Sequence, residues 1–224
     1  MNAAIIVAAG TGSRMGADMP KQFLKIGGEY ILARTLRVFE ESEDIREIVL
    51  VLSPEWIDFT RREILEKEGF YKFLKIVPGG AERYDSVYAG LMACPEADYV
   101  LIHDGARPFV TQEVIHRACV EAAATGAVAV GVPAKDTVKV VDENGYVTET
   151  PVRSRTWLVQ TPQAFEYDMI RMAYEIVREK GMAGVTDDAM VVELSRLSRV
   201  RMIMGDYRNI KITTPDDLRG FEEE

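Results

Sequence analysis

The chain of 224 residues is short of cysteine, histidine and long apolar runs, and each shortage closes off a class of function. Cys94 and Cys119 stand far apart in helix-like apolar surroundings, so they read as buried reduced thiols rather than a disulfide or a metal pair. That fits the cytoplasm. His103 and His116 carry no metal-ligand spacing, and without a Gly-x-Ser-x-Gly motif the hydrolase triad lacks its parts. No stretch approaches the roughly 20 apolar residues of a membrane span, and the opening apolar run, short and without a basic flank, does not read as a signal peptide. No block of Lys and Arg offsets the net charge of −9, which disfavours nucleic acid and membrane as partners and points to a small ligand. No repeat, low-complexity tract or linker rich in Pro, Gly or Ser divides the sequence. Residues 1–224 therefore read as a single domain, with 47% hydrophobic and 28% charged residues to build and solvate one core.

What is present is alternation. Strand-like runs at Ala3 to Ala9, Glu47 to Leu52, Leu74 to Val77, Tyr99 to His103 and Ala127 to Val132 alternate with helical periodicity near 30–41, 55–68, 82–93 and 112–124. This predicts an α/β fold, a Rossmann-like, mostly parallel twisted sheet with helices on both faces. Segment 136–163 breaks the pattern: Thr137 to Val141 and Tyr146 to Thr150 flank Asp142-Glu143-Asn144-Gly145, and Asn-Gly is a strong hairpin signal. We read it as a projecting β-hairpin arm. A lone hairpin is marginal in water, so the arm needs a surface, either a second subunit or its own sheet. Helices near 165–180 and 187–195, strands near 199–203 and 208–212, and a closing helix from Thr214 or Pro215 complete the expectation.

The densest feature is the loop after the first strand, which brings Gly10, Thr11, Gly12, Arg14, Gly16 and Lys21 together. A loop leaving the carboxyl end of a buried parallel strand lies where open α/β sheets bind ligands. Glycines let backbone N–H groups approach a polyphosphate, and Arg14 and Lys21 add fixed positive charge. Gly10-x-Gly12-x-x-x-Gly16 is one residue too long for the dinucleotide fingerprint and has no Gly-Lys-Ser/Thr ending, so neither a nicotinamide site nor a P-loop is favoured. The segment instead resembles the Gly-x-Gly-x-Arg-Met…Pro-Lys signature of nucleotidyltransferases, in which Arg14 and Lys21 hold the triphosphate.

Other clusters also fall at strand ends. Gly79-Gly80-Ala81-Glu82-Arg83-Tyr84-Asp85-Ser86 offers glycines and a small hydroxyl to a flat base, or simply turns into a helix. Asp104 and Arg107 end the central strand three residues apart, either paired with each other or arranged around a ligand. Lys135-Asp136-Thr137, Arg153, Gln160-Thr161-Pro162-Gln163, Thr186-Asp187-Asp188-Ala189 and Asn209 to Thr213 mix hydroxyl, cationic and acidic groups beside apolar strands, and Thr186-Asp187-Asp188 has the look of an N-cap.

Taken in this order, the clusters resemble the 2-C-methyl-D-erythritol 4-phosphate cytidylyltransferase family along essentially the whole chain. The resemblance implies a nucleotidyltransferase domain with 136–163 as a dimerisation insertion, joining CMP from CTP to 2-C-methyl-D-erythritol 4-phosphate in the non-mevalonate isoprenoid pathway, with release of pyrophosphate. It implies a homodimer whose arms complete each other's sites, and Mg²⁺ bound mainly through the CTP phosphates, with Asp104 the nearest carboxylate for a direct contact. Ala8, Ala9, Gly10, Thr11, Gly12, Gly80, Ala81 and Ser86 would bind the nucleotide. Arg14, Lys21 and Lys211 would surround the phosphates, and Asp104, Ala106, Arg107, Thr137, Arg153 and Thr186 would hold the acceptor. Arg14, Lys21, Arg153 and Lys211 are the expected catalytic set. One departure stands out: the family usually shows an acidic residue before its arm arginine, whereas Val152 precedes Arg153 and Arg155 lies two further on. On a strand, Arg153 and Arg155 would share a face, leaving either as the arm cation. A ribitol 5-phosphate cytidylyltransferase would use the same nucleotide site; a nicotinamide oxidoreductase and a non-catalytic nucleotide sensor are the readings outside this class.

Overall fold

The computed structural model describes residues 1–10, 19–70, 72–181, 184–214 and 216–219. Strand β1 (Asn2–Ala8) leads through a small ribbon, β2 (Lys25–Ile26) and β3 (Glu29–Tyr30), into helix α1 (Ile31–Glu41) and strand β4 (Glu47–Leu52). The expected helix over 55–68 is a composite: a 3₁₀ turn at Pro54–Trp56, α2 (Ile57–Thr60), a π turn at Arg61–Leu65 and α3 (Glu66–Glu68). There follow β5 (Phe73–Pro78), α4 (Arg83–Met92), β6 (Tyr99–Asp104), α5 (Gln112–Thr125) and β7 (Ala127–Pro133). The hairpin is β8 (Val140–Val141) and β9 (Val147–Glu149), and β10 (Trp157–Glu166), α6 (Tyr167–Glu179), α7 (Asp188–Ser195), β11 (Arg201–Met204) and α8 (Asp216–Arg219) complete the chain.

The expected α/β architecture is what forms. Seven strands make one sheet in the order β11-β7-β10-β6-β1-β4-β5, parallel except for β10, which runs antiparallel to both β6 and β7. Alternation along β1 explains why helices cover both faces. Ala4, Ile6 and Ala8 enter one core with Leu36 and Phe39 of α1 and Val114 and Ile115 of α5. Ala3 and Ile5 enter the other with Val87 and Leu91 of α4 and Ile170 and Tyr174 of α6. The chain steps outward from β1 to β4 and β5, then crosses back to β6 on the opposite side of β1. That reversal opens a crevice at the carboxyl ends of β1, β5 and β6, which is where ligands bind in such sheets.

Three local expectations are corrected. Residues 208–212 form no strand, because their amides serve turns and loops: Asn209 N–H donates to Asp206, Ile210 N–H to Arg208 and Ile212 N–H to Ala106. The hairpin ladder is shorter than the runs on either side of Asn144-Gly145, although the turn forms as its chemistry dictates, with Gly145 at φ 84° and Asp142 N–H donating to Tyr146 O across 2.9 Å. It makes a separate two-stranded sheet, exposed along both strands, and does not add to the central sheet. Arg153 and Arg155 lie in a 3₁₀ turn, where residues two apart point in different directions, so they share no strand face. Within the range 136–163, residues 157–163 already belong to β10 in the central sheet.

Candidate active site

The crevice contains a cavity of about 250 Å³ lined by Val7, Ala8, Ala9, Gly10, Lys21, Gln22, Gly80, Ala81, Glu82, Arg83, Ser86, Asp104, Ala106, Lys211 and Thr213. Ten of the residues expected from the sequence therefore meet here: Ala8, Ala9, Gly10, Lys21, Gly80, Ala81, Ser86, Asp104, Ala106 and Lys211. Thr11, Gly12, Arg14 and Gly16 lie outside the described residues. Thr137, Arg153 and Thr186 do not line this cavity. Arg153 is exposed, donates to Lys135 O at 3.2 Å and faces a separate depression beside Pro133 and Val152. Thr186 is exposed at the start of α7.

The wall from β1 is fastened by Gln22. This side chain, 3% exposed, donates to Ala8 O at 2.7 Å and Gly10 O at 3.0 Å, so the residue after Lys21 clamps the strand end from which the glycine loop departs. Phe23, next in the same 3₁₀ turn, stacks on Trp56 with ring centroids 4.7 Å apart and anchors Lys21 from the other side. Opposite stands the loop after β5. A Cβ on Gly79 would sit 2.4 Å from Ala9 Cβ, so glycine there lets the two loops approach, and one on Gly80 would sit 2.3 Å from Asp85 Cβ, so glycine there lets the loop fold against the first turn of α4. Ser86 Oγ accepts from Gly80 N–H at 3.1 Å and donates to Glu82 O at 3.2 Å, while Glu82 and Asp85 form a capping box at the start of α4. Small side chains thus leave backbone groups open to a flat ligand.

The floor is a charge cluster. Asp104, only 8% exposed, has Lys211 Nζ at 2.9 Å, Arg107 Nε at 3.5 Å and Arg83 Nε at 3.6 Å. Burial alone would raise the Asp104 pKa, but Arg83, Lys211 and Arg107 together outweigh it and hold the carboxyl well below the usual carboxylate range. Asp104 and Arg107 do pair, though not with each other alone: Arg107 also donates to Asn209 O at 2.8 Å, tying the 205–214 loop that delivers Lys211.

His103 is fully buried and structural. Its Nε2 meets Arg107 O at 3.1 Å and its Nδ1 meets Thr161 Oγ1 at 3.0 Å, and that same hydroxyl accepts from Asp104 N–H at 3.1 Å. A carbonyl only accepts, so Nε2 carries the proton and the Thr161 hydroxyl donates to Nδ1. Burial drives the imidazole pKa down to about 4, so the ring stays neutral. Behind Arg83 lies Asp188, with no exposed side-chain surface, bound at 2.9 and 2.7 Å by the two guanidinium nitrogens and at 2.6 Å by the Tyr174 hydroxyl. The expected N-cap is Asp187, which accepts from Met190 N–H, and Gln163 bridges Asp187 and Ala189 N–H to fix α7 against β10.

Gln22, Arg83, Thr161, Asp188, Asn209 and Thr213 were not assigned roles from the sequence. A signal for Arg83 existed. It is the first residue of α4, where the helix dipole disfavours a cation, so a buried anionic partner was required to keep it there. Asp188 is the matching excess: Asp187 suffices as a cap, and a second buried acid needs its own cation.

The chain matches the 2-C-methyl-D-erythritol 4-phosphate cytidylyltransferase family over residues 2–222. A protein of that name from Geobacter metallireducens is 52% identical over 220 residues, covering 96% of this chain and 93% of the relative. The crystal structure of 4-diphosphocytidyl-2C-methyl-D-erythritol synthase from Anaerococcus prevotii superposes with a TM-score of 0.88 at 35% identity, covering 99% of this chain and 94% of that one. The enzyme from Thermus thermophilus superposes with a TM-score of 0.78 at 31% identity, covering 97% and 96%. The resemblance first seen in the glycine loop and the strand-end clusters thus holds along the whole chain, which belongs to the 2-C-methyl-D-erythritol 4-phosphate cytidylyltransferase family.

Proposed function

We propose that this protein transfers CMP from CTP to 2-C-methyl-D-erythritol 4-phosphate and releases pyrophosphate, a step of the non-mevalonate route to isoprenoid precursors. The observation that carries the reading is the cavity itself, in which the β1 loop with Lys21, the Gly80–Ser86 loop and the Asp104–Lys211 pair converge at the switch point of a sheet belonging to this family. Ala8, Ala9, Gly10, Gly80 and Ala81 present backbone groups to cytosine and ribose, with the Ser86 hydroxyl beside them. Thr11, Gly12, Arg14 and Lys21 gather the triphosphate. Lys211 sits where acceptor and nucleotide phosphates meet, and Asp104, Ala106 and Arg107 hold the acceptor.

A phosphate monoester has a second pKa of about 6 and is mostly dianionic at neutral pH, so the acceptor is already a nucleophile. An acceptor oxygen attacks the α-phosphorus of CTP, forming one P–O bond as the α–β bridge breaks and pyrophosphate leaves with the electron pair. No general base is needed, which agrees with a neutral His103 whose two ring nitrogens are both engaged. The protein's work is to hold two anions in line and to neutralise charge on the departing pyrophosphate through Arg14 and Lys21. Asp104 faces three cations, so its charge is already committed and it is a poor direct ligand for Mg²⁺. Mg²⁺, when bound, would be held mainly by the CTP phosphates beside Arg14 and Lys21 and would supply further charge neutralisation there.

Thr137 and Arg153 remain part of the reading through dimerisation, and Thr186, beside the start of α7, remains an acceptor contact. Tyr146, Val147 and Val152 are 74%, 57% and 62% exposed on or beside a hairpin that has no sheet of its own to cover it. A second copy of the chain buries that surface and carries Thr137 and Arg153 to the neighbour's cavity. The partners are therefore CTP, a polyol phosphate and a second subunit, with no nucleic acid or membrane, in a cytoplasm that keeps the two buried thiols reduced.

The test is pyrophosphate release with each of four nucleoside triphosphates, using methylerythritol phosphate and ribitol 5-phosphate in turn as acceptor. Release with CTP and methylerythritol phosphate alone is expected. A preference for ribitol phosphate overturns the acceptor, and equal rates with all four triphosphates overturn the base.

A further inference from the structure

We infer that Arg83 and Asp188 are positioning residues that aim Asp104, and through it Lys211, at the reacting phosphates; the inference rests on the proposed reaction. The guanidinium of Arg83 lies between two carboxylates. Both of its terminal nitrogens bind Asp188, at 2.9 and 2.7 Å, and its Nε stands 3.6 Å from Oδ1 of Asp104. Oδ2 of Asp104 in turn meets Lys211 Nζ at 2.9 Å. The row Asp188, Arg83, Asp104, Lys211 therefore alternates in sign from the buried start of α7 to the cavity floor.

The geometry gives each member a separate task. A bidentate clamp fixes a guanidinium in plane and direction, which one bond does not. Asp188 is itself immobilised by Tyr174 and by the anchored first turn of α7, so the clamp has a rigid base. Asp188 takes one N–H from each terminal nitrogen, and the clamp turns the Nε of Arg83 toward Asp104. Without it, only Lys211 and Arg107 would set the direction of the Asp104 carboxylate. The strut also joins two elements, since Arg83 begins the helix behind the Gly80–Ser86 loop and Asp188 begins α7.

The test is a double-mutant cycle between Arg83→Gln and Asp104→Asn, read as turnover, acceptor KM and CTP affinity, together with a crystal structure of Arg83→Gln. In the wild-type background Arg83→Gln is expected to lower kcat about tenfold and raise the acceptor KM, the size of a coupling between neighbouring charged groups, with CTP affinity held within about threefold. In the Asp104→Asn background the same substitution is expected to do little, because the group it acts through is gone. An equal loss in both backgrounds, or a loss confined to CTP affinity, overturns the inference. Asp188→Asn, which keeps shape but leaves a single acceptor oxygen, is expected to reproduce the kcat loss, and unchanged kinetics there also count against it. If the wild-type protein releases no pyrophosphate, the proposed reaction fails separately and the crystal structure decides: Asp104 and Lys211 unmoved in Arg83→Gln overturns the positioning role, and a displaced pair supports it.

Discussion

Lys211 Nζ donates to Asp104 Oδ2 across 2.9 Å, joining the loop before the last helix to the end of the central strand β6. The pair closes one side of the cavity, and it exists because Arg107 and Asn209 hold that loop in place: Arg107 donates to Asn209 O, Asn209 Nδ2 to Thr161 O, and Ile212 N–H to Ala106 O. The acid at position 104 is therefore both a structural keystone for the cations and an electrostatic element of the site.

Asp104→Asn should expose this double role. Removing the shared anion leaves Arg83, Arg107 and Lys211 facing one another with little solvent between them, and breaking such a buried cluster costs about 3 kcal/mol. Urea unfolding is expected to show that loss. CTP should then raise the melting temperature of the variant by more than that of the wild type, because the ligand phosphates replace the missing negative charge. Unfolding curves that superpose, or equal ligand shifts, would show that contacts other than charge hold the cations.

Lys21→Ala is expected to lower kcat about 10²- to 10³-fold, the scale of removing one transition-state donor, while the fold survives. Gln22 and Phe23 fix the 3₁₀ turn that carries Lys21, so the backbone has no reason to move when the side chain is truncated. A variant that releases pyrophosphate at the wild-type rate would remove Lys21 from the mechanism.

The sequence was most legible where one residue type has one physical use. Glycines after an apolar run marked the β1 loop, and Asn144-Gly145 marked the hairpin turn, since few backbones other than a positive-φ turn demand that dipeptide. The parallel sheet followed from alternation of runs, but the reversal of β10 did not, because residues 157–163 read as part of the arm and the polar run Gln160-Thr161-Pro162-Gln163 carries no strand pattern. The stretch 208–212 looked like a strand on its apolar residues, yet its amides are spent on a turn and on Ala106. Arg83 and Asp188 were hidden for a different reason: a long-range ion pair between α4 and α7 has no local pattern, and only the oddity of a cation opening a helix hinted at it.

Stability should fall on acidification through His103. Its folded-state pKa is depressed to about 4 against 6.5 for the unfolded ring, first by burial. Above pH 6.5 both states are neutral and nothing changes. Between 6.5 and about 4 the unfolded chain takes up a proton that the folded one refuses, so the folded state loses on the order of 3 kcal/mol across that window. Unfolding free energies measured from pH 7.5 to 4 should show this slope in the wild type and a shallower one in His103→Gln. Parallel slopes would mean that other groups carry the acid sensitivity.

Subunit complementation separates an arm that serves its neighbour from one that serves its own chain. Arg153 faces a depression apart from the cavity that holds Lys211, and in the proposed dimer a second subunit brings the two together. Arg153→Ala and Lys211→Ala homodimers are each expected to be nearly inactive. After unfolding and refolding together, half of the dimers combine one chain of each kind, and in those one site has both substitutions while the other has neither. The mixture should therefore recover about a quarter of wild-type turnover, the value set by two-fold symmetry and random pairing. If Arg153 acts on its own chain's cavity, every site carries one substitution whatever the pairing, and mixing restores nothing.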